Sequence, residues 1–218
     1  MTTLLIATRN AHKVGEIRTI LGGQFQYLTL QDFPQAPEVV EDADTFAGNA
    51  TKKAVELARW LAAEHSTFNI QHSTPDFVLA DDSGLEVDAL NGQPGVHSAR
   101  FAALDAAASG NSADGDNNAK LLLLMKAVPL EKRTARFRCV MAVVSSNVEL
   151  GTSNPELFDG SCEGRIEFAP QGQGGFGYDP LFVPDGFTQS FAELGDEVKN
   201  RLSHRSKALA KLKTRLIR

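Results

Sequence analysis

Apolar and polar residues repeat with two different periods along the chain, and each period predicts one type of element. A short apolar run at 3–8 predicts a strand, and apolar residues at helical spacing through 10–23 predict a helix that Gly22 and Gly23 end. Strands and helices alternate early, whereas strands cluster later, which predicts an α/β fold around a mixed, elongated sheet. Further strands are expected at 25–30, 76–90, 135–146, 156–168 and 179–184, and further helices at 45–64, 117–128 and the C-terminus.

Two polar segments are predicted to be connections. The small and polar residues of 104–118 are typical of a mobile surface loop that leads into the helix at 117–128. Residues 147–156 are predicted to form the tip of a long hairpin, so that 135–146 and 156–168 would be antiparallel neighbours.

The composition is that of an ordinary globular protein. Of 218 residues, 42% are hydrophobic and 22% charged, which predicts a single domain over 1–218 and excludes a disordered or membrane-embedded chain. No apolar run is long enough to span a membrane and no signal peptide is indicated, so we expect a cytoplasmic location without a membrane partner. Cys139 and Cys162 lack metal-binding spacing and are expected to be reduced core thiols.

Charge is distributed unevenly along the chain. The net charge is −5, but residues 199–218 hold eight basic residues and no acidic one. Apolar residues recur at helical spacing through this segment, which favours an amphipathic helix with a solvated basic face over a nucleic-acid binding tail. We therefore expect no nucleic-acid polymer as a partner, although a few of these cations could face an anionic ligand.

The first turn between strand and helix, "ATRNAHK", is a candidate phosphate site. A helix N-terminus offers unpaired N–H groups and a partial positive charge. Thr8 and Asn10 add hydrogen-bonding groups, and Lys13 could bring a cation to the same anion. The alternative is an Asn cap followed by a solvated lysine, and this segment alone does not decide between the two.

The segment "ADDSG" is predicted to end a strand with two adjacent carboxylates, Asp81 and Asp82. Successive side chains on a strand point to opposite faces, so only one of them can face a given cleft. Beside a phosphate site, that carboxylate would hold Mg²⁺ or draw a proton from water, with a second carboxylate from the acidic segment 38–44. The alternative is a plain turn, because Asp, Ser and Gly favour turns.

Two later segments could recognise a planar ring. In "GGFGYDP" the glycines permit a close backbone approach, Phe176 and Tyr178 offer ring faces and Asp179 a carboxylate, although a plain loop would have the same glycines. Lys199, His204 and Arg205 do not share one face of a straight helix. Their convergence would require a helix break, for which Ser203 is a suitable cap.

Together, "TxNxxK", "ADDSGLEVDALNGxPGxxSAR", "GGFGYDPLF" and "SHRxxAL" occur in this order, and the chain from Leu4 to about Leu212 resembles the Ham1/inosine triphosphate pyrophosphatase family. The resemblance implies an elongated α/β fold with a central mixed sheet, two lobes around a nucleotide cleft, and a homodimer. It also implies Mg²⁺-dependent hydrolysis of ITP, dITP or XTP to the monophosphate and pyrophosphate.

The resemblance also assigns roles to residues at matching positions. Asp82 is similar in position to the family's general base, which is also a metal carboxylate, and Glu41 is similar in position to the second metal carboxylate. The residues similar to substrate-binding positions are Thr8, Arg9, Asn10, Ala11, His12, Lys13, Ser83, Phe176, Gly177, Tyr178, Asp179, Lys199, His204 and Arg205.

This sequence departs from the family pattern at four positions. Arg9 and His12 stand where glycine is frequent, His97 where tyrosine is common, and Gly48 replaces a usual glutamate. None of these departures removes a proposed catalytic group, but Arg9 adds a cation near the expected triphosphate.

Two other functions stay open at this point. A Maf-like pyrophosphatase would act on modified pyrimidines, and a comparison of UTP with ITP turnover would separate it. A nucleotide-binding sensor or scaffold would leave the acidic residues merely solvated, and any Mg²⁺-dependent release of pyrophosphate would exclude it.

Overall fold

The computed structural model describes residues 1–67, 74–104, 110–146 and 154–217, and within them it contains a six-stranded sheet. The strand order is β2-β1-β3-β4-β5-β6, with β1 parallel to β2 and β3, and β5 antiparallel to β6. The sheet is therefore mixed, as predicted. The strands are β1 (Thr3–Ile6), β2 (Gln26–Thr29), β3 (Phe77–Val87), β4 (Thr134–Ser145), β5 (Glu156–Ile166) and β6 (Phe182–Pro184).

Five α-helices flank this sheet in the described part of the chain. The first follows β1 directly and ends at Gly22, whose φ of +72° suits a glycine. None of the described helices is long and apolar enough to cross a membrane. The helices are α1 (Ala11–Leu21), α2 (Phe46–Thr67), α3 (Asp114–Leu124), α4 (Phe191–Leu202) and α5 (His204–Leu216).

The chain divides into two compact units. Unit 1 comprises 1–82, 140–159 and 208–218, and unit 2 comprises 83–139 and 160–207. In unit 1 the core contains Leu4, Leu5 and Ile6 of β1, which are almost fully buried. In unit 2 a second core collects apolar residues of β3, β4, α3 and α4, among them the T-shaped ring pair Phe137 and Phe182.

Three predictions about local structure need correction. The strand does not end in a turn at 81–84, because β3 continues to Val87. Its residues there are almost all buried, so the polar side chains are held by contacts inside the protein and not by a turn. Residues 114–118 form the first turn of α3 and not a loop, while 105–109 of the same predicted loop lie outside the described residues.

The predicted C-terminal helix is two helices, which meet at Ser203. Most of the predicted hairpin tip, 147–153, lies outside the described residues, and β4 and β5 are neighbours in the sheet. Both cysteines are free and buried, as predicted. Burial also raises the pKa of the Cys162 thiol to about 11.

Arg133 is a buried hydrogen-bond centre of unit 2, with only 1% of its surface exposed. Its guanidinium donates to the carbonyl oxygens of Met125 and Val128 after α3, at 2.7 and 3.3 Å. It also donates to those of Ile166 and Glu167 at the end of β5, both at 2.8 Å. One side chain therefore satisfies four backbone acceptors from two separate segments.

We expect Arg133→Met to lower the free energy of unfolding by at least about 3 kcal/mol, because buried carbonyl groups lose a charged donor. Arg138→Met is the matched control: Arg138 lies on β4, which begins directly after Arg133, with its side chain 39% exposed and 4.0 Å from Glu86. The control should change stability by less than about 0.5 kcal/mol. Urea denaturation measures both, and equal effects would contradict the role given to Arg133.

Candidate functional site

The turn between β1 and α1 is a capped helix N-terminus. The Oδ1 of Asn10 accepts from the N–H of Lys13 at 3.1 Å, and the Oγ1 of Thr8 accepts from the N–H of Asn10 at 3.2 Å. Arg9, Ala11 and His12 are exposed. The Asn cap of the alternative interpretation is therefore present, but the solvated lysine is not, because the Lys13 ammonium pairs with Asp81.

Asp81 and Asp82 lie side by side in the middle of β3, and both are buried. Their contacts come from different helices, as the alternation along a strand requires. Asp81 pairs with Lys13 of α1. Asp82 lies 3.8 Å from the Nζ of Lys53 of α2, and its Oδ2 accepts from Asn49 of the same helix at 3.1 Å.

Lys53 is the centre of this cluster in unit 1. Its Nζ donates to the carbonyl oxygen of Asp81 at 2.6 Å and lies 3.1 Å from the Oε2 of Glu41. Asp42, the neighbour of Glu41, instead pairs with the partly buried Lys52 at 2.6 Å. Within the acidic segment, the structure thus brings Glu41 to the buried carboxylates.

Two hydrogen bonds fix the position of the acidic segment. The Oδ1 of Asn49 accepts from the N–H of Ala43 at 2.9 Å, so one amide contacts both the segment and Asp82. Two residues before the segment, the Nη2 of Arg9 donates to the carbonyl oxygen of Ala36 at 3.1 Å. Arg9 therefore links the phosphate turn predicted from the sequence to the loop that carries Glu41.

Burial raises the pKa of the Asp82 carboxyl to about 6, against the opposing effects of Lys53 and Lys13 and the hydrogen bond from Asn49, while Glu41 raises it further. A carboxyl group of this kind exchanges a proton near neutral pH. That is the property expected of a general base.

The donor set suits a hard divalent cation. Asp82 and Glu41 supply carboxylate oxygens, and Mg²⁺ is commonly bound by one or two carboxylates together with substrate phosphates. Among the described residues, no group of three or more His, Cys, Asp or Glu side chains is placed to bind a metal. Two carboxylates match the protein's usual share of such a site, in which substrate phosphates supply further ligands.

The glycine-rich loop of unit 2 needs its glycines for two reasons. Gly175 and Gly177 have φ of +73° and +63°, in the left-handed region that L side chains rarely adopt. At Gly175 a Cβ would also collide with the carboxylate of Asp179. These glycines let the chain fold around that carboxylate.

Asp179 and Lys199 form a buried ion pair at 2.6 Å. The same Oδ2 of Asp179 accepts from the N–H of Phe176 at 2.9 Å. The ammonium of Lys199 lies 4.2 Å from the centre of the Phe176 ring, in a cation–π contact. Three residues predicted to contact a ligand thus contact one another, and Phe176, which is only partly buried, is the one that offers a ring face.

Tyr178 does not offer its ring to a ligand. It is 3% exposed, and its hydroxyl donates to the carbonyl oxygen of Ser98 at 2.9 Å. Burial raises the pKa of this phenol above its ordinary value. The side chain of Tyr178 therefore supports the loop from the core of unit 2, which differs from the ring-face role inferred from the sequence.

The helix break that a convergence of Lys199, His204 and Arg205 would require is present at Ser203. The Oγ of Ser203 accepts from the N–H of Ser206 at 3.2 Å, and α5 begins at His204. His204 stacks on Phe137 with ring centres 4.9 Å apart. Arg205, almost fully buried, donates from Nη2 to the Oγ of Ser83 at 2.8 Å.

Sequence reasoning missed Lys53 and Asn49. Both lie in the N-terminal part of a long helix, where a lysine beside Lys52 and an asparagine have no distinctive pattern. Their spacing of four residues places them on one face of α2, and this was the available signal. It becomes informative only once Asp82 is known to lie against that face.

The mixed six-stranded sheet with its flanking helices defines an α/β protein. The model of the Ham1 family matches residues 4–215. The chain is 47% identical over 209 residues to the dITP/XTP pyrophosphatase of Desulforamulus reducens, with 95% of this chain and 92% of that protein covered. It is 46% identical over 217 residues to the dITP/XTP pyrophosphatase of Geobacter sulfurreducens, with 99% and 97% covered.

Solved structures agree with these matches. The Ham1 protein of Staphylococcus aureus superimposes with a TM-score of 0.78 at 31% identity, over 99% of this chain and 98% of that one. The Mycobacterium abscessus structure described as a nucleoside-triphosphatase / dITP/XTP pyrophosphatase has a TM-score of 0.71 at 36% identity, over 97% and 98%. The chain belongs to the Ham1 family, which confirms the resemblance inferred from its sequence.

The raised pKa of Asp82 predicts a pH-dependent stability difference. Because its folded pKa of about 6 exceeds the ordinary value of 3.8, the folded state holds the proton more tightly, and this residue makes stability fall as pH rises between these values. Asp82→Asn removes that loss. Relative to the parent protein, the variant should gain on the order of 3 kcal/mol between pH 4 and pH 7, since one pKa unit corresponds to about 1.36 kcal/mol.

The measurement is urea denaturation at a series of pH values in EDTA. Asp44→Asn, at an exposed position in the acidic segment, is the control and should show no such gain. A stability difference between Asp82→Asn and the parent that stays constant from pH 4 to pH 7 would contradict the raised pKa.

Proposed function

We propose that this protein is a pyrophosphatase that hydrolyses the non-canonical purine nucleoside triphosphates ITP, dITP and XTP to the monophosphate and pyrophosphate. The observation that carries the proposal is the buried Asp82 carboxyl, whose raised pKa of about 6 and neighbouring lysines suit a base that works beside anionic phosphates. Relatives that bear the name dITP/XTP pyrophosphatase over nearly the whole chain support it.

In the proposed reaction, water attacks the α-phosphorus, the bond from that phosphorus to the oxygen bridging to the β-phosphorus breaks, and pyrophosphate leaves. Asp82 takes the proton of the attacking water. Lys13, Arg9 and the N–H groups at the start of α1 would offset the charge of the triphosphate. Lys53 would hold Asp82 and Glu41 in position and offset the charge that builds up in the transition state.

The cofactor that we propose is Mg²⁺, held by Glu41 and Asp82 together with substrate phosphates. When bound, it would neutralise phosphate charge and acidify the attacking water. The contact of both carboxylates with Lys53 supports the choice of these two residues.

The purine would be recognised in unit 2. Phe176 offers the ring face for stacking, and Gly177 the backbone next to it. Lys199, His204 and Arg205 supply donors for a 6-oxo group, and adenine, with an amino group there, would leave such donors unsatisfied. Ser83, hydrogen-bonded to Arg205, would contact the substrate from β3.

The decisive experiment measures pyrophosphate release from ITP, XTP, GTP and UTP, with Mg²⁺ and with EDTA. We expect fast, metal-dependent release from ITP and XTP and little from GTP or UTP. Preferred turnover of UTP would favour a pyrimidine pyrophosphatase instead. A folded protein that releases pyrophosphate from none of them would favour a nucleotide-binding module without catalysis.

Lys53→Met should lower kcat/KM for ITP by about 100-fold, because a preorganised charge in a buried site is lost. Since Lys53 lowers the pKa of Asp82, its removal should also move the acidic limb of the pH–rate profile to higher pH. Lys52→Met is the matched control, with the same charge change at a neighbour that is only partly buried and pairs with Asp42. Steady-state kinetics across pH compare the two, and equal losses would refute the role of Lys53.

The homodimer, the cytoplasmic location and the absence of a nucleic-acid partner follow from the family resemblance and the composition and stay predictions. They add nothing to the chemistry proposed here, for which one chain supplies every residue named.

A further inference from the structure

Gly177, at the tip of the glycine-rich loop, is held by two side chains of α3. Its N–H donates to the Oδ2 of Asp114 at 2.6 Å, and its carbonyl oxygen accepts from the Nδ2 of Asn118 at 3.0 Å. The two side chains are four residues apart and therefore lie on one face of the helix. Both backbone polar groups of one left-handed glycine are thus bound by one helix turn.

The same helix turn is itself fixed to the rest of unit 2. The Oδ1 of Asn117 accepts from the N–H of Ala102 at 2.8 Å, and its Nδ2 donates to the carbonyl oxygen of Ala99 at 3.3 Å. Tyr178 reaches the neighbouring carbonyl of Ser98. The start of α3 and the loop therefore share one support, the short segment 95–102.

That support also contacts β3. The Oγ of Ser98 accepts from the N–H of Leu85 at 2.9 Å, and a Cβ at Gly84 would collide with Ser98. The loop is thus placed relative to Ser83 on the same strand through a continuous series of hydrogen bonds and close contacts. The N–H of Phe176, the residue before Gly177, donates to the Oδ2 of Asp179.

From this geometry we infer that Asp114 and Asn118 are positioning residues for recognition of the nucleotide base. They bind Gly177 in its left-handed conformation, and so keep the adjacent Phe176 ring at the place where a base would stack. The inference rests on the proposed function for the identity of the ligand, but not for the hydrogen bonds themselves.

The inference predicts different effects of substitutions in α3 on KM and on kcat. A base that stacks on a less firmly held ring binds more weakly, whereas the groups around Asp82 are unchanged. Asp114→Ala and Asn118→Asp should each raise KM for ITP about three- to tenfold, as loss of one hydrogen bond does, and leave kcat within about twofold. The ITP/GTP ratio of kcat/KM should stay constant, because stacking does not distinguish the edges of two purines.

Conservative variants separate positioning from general damage. Asp114→Asn keeps an acceptor for the N–H of Gly177 and should restore most of the parent KM. Asn118→Asp keeps the size of the side chain but replaces the amide donor with a carboxylate, which repels the carbonyl oxygen of Gly177. A rise in KM in this variant therefore comes from loss of the hydrogen bond and not from loss of packing. Asp116→Ala is the matched control, because it removes the same charge from the same exposed first turn of α3 without a hydrogen bond to Gly177 among the described contacts.

The closing experiment combines steady-state kinetics with hydrogen–deuterium exchange of the backbone amides of 174–182 in the absence of nucleotide. Amide exchange should become faster in Asp114→Ala and in Asn118→Asp. It should stay unchanged in Asp116→Ala and change only slightly in Asp114→Asn. Exchange and KM values of Asp114→Ala that match those of Asp116→Ala would overturn the inference. If the parent protein does not hydrolyse ITP, the proposed function fails, and the exchange arm alone decides whether α3 holds the loop.

Discussion

The burial of two adjacent carboxylates in the middle of β3 is the constraint on which the rest of the site depends. An ionised carboxylate inside a protein costs several kcal/mol unless a cation and hydrogen bonds compensate it. Because neighbouring strand residues face opposite ways, Asp81 and Asp82 need cations from two helices, and Lys13 of α1 and Lys53 of α2 supply them. The positions of both helices in unit 1 are therefore tied to the chemistry of one strand.

Unit 2 meets the same problem with a tighter contact. Asp179 and Lys199 are 2.6 Å apart, whereas Asp82 and Lys53 are 3.8 Å apart. Attraction falls with distance and burial penalises charge, so the looser pair leaves Asp82 with a raised pKa and a proton it can exchange. Asp179 instead serves to close the loop, since the same oxygen also accepts from Phe176. The two buried aspartates thus differ in their contacts: one closes a loop, and the other retains a raised pKa.

Periodicity was enough to predict most of the elements, because apolar spacing reports which faces are buried, and β1 and α1 occur where the pattern placed them. The same spacing predicted one C-terminal helix and did not indicate the break at Ser203. The prediction failed at 81–84. Residues there favour turns, but they continue a strand because other elements supply partners for their polar side chains. It also failed for Tyr178, since a sequence does not show whether an aromatic ring beside glycine faces solvent or core. The family motifs predict a candidate site, whereas Lys53, Asn49 and Asp114 emerge only from contacts distant in sequence.

The residues assigned to base recognition are themselves structural. Asp179, Lys199 and Arg205 are each at most 2% exposed, and all have partners in the fold. Their desolvation and side-chain ordering therefore take place when unit 2 folds and not when a nucleotide arrives, which lowers the free-energy cost of binding. The same arrangement explains the role inferred for α3: a ring held at a fixed place binds a base without a further ordering cost. In the proposed site, affinity for the base would therefore depend on the rigidity of the backbone at Gly177, whereas selectivity between purines would depend on the donors that face the purine edge.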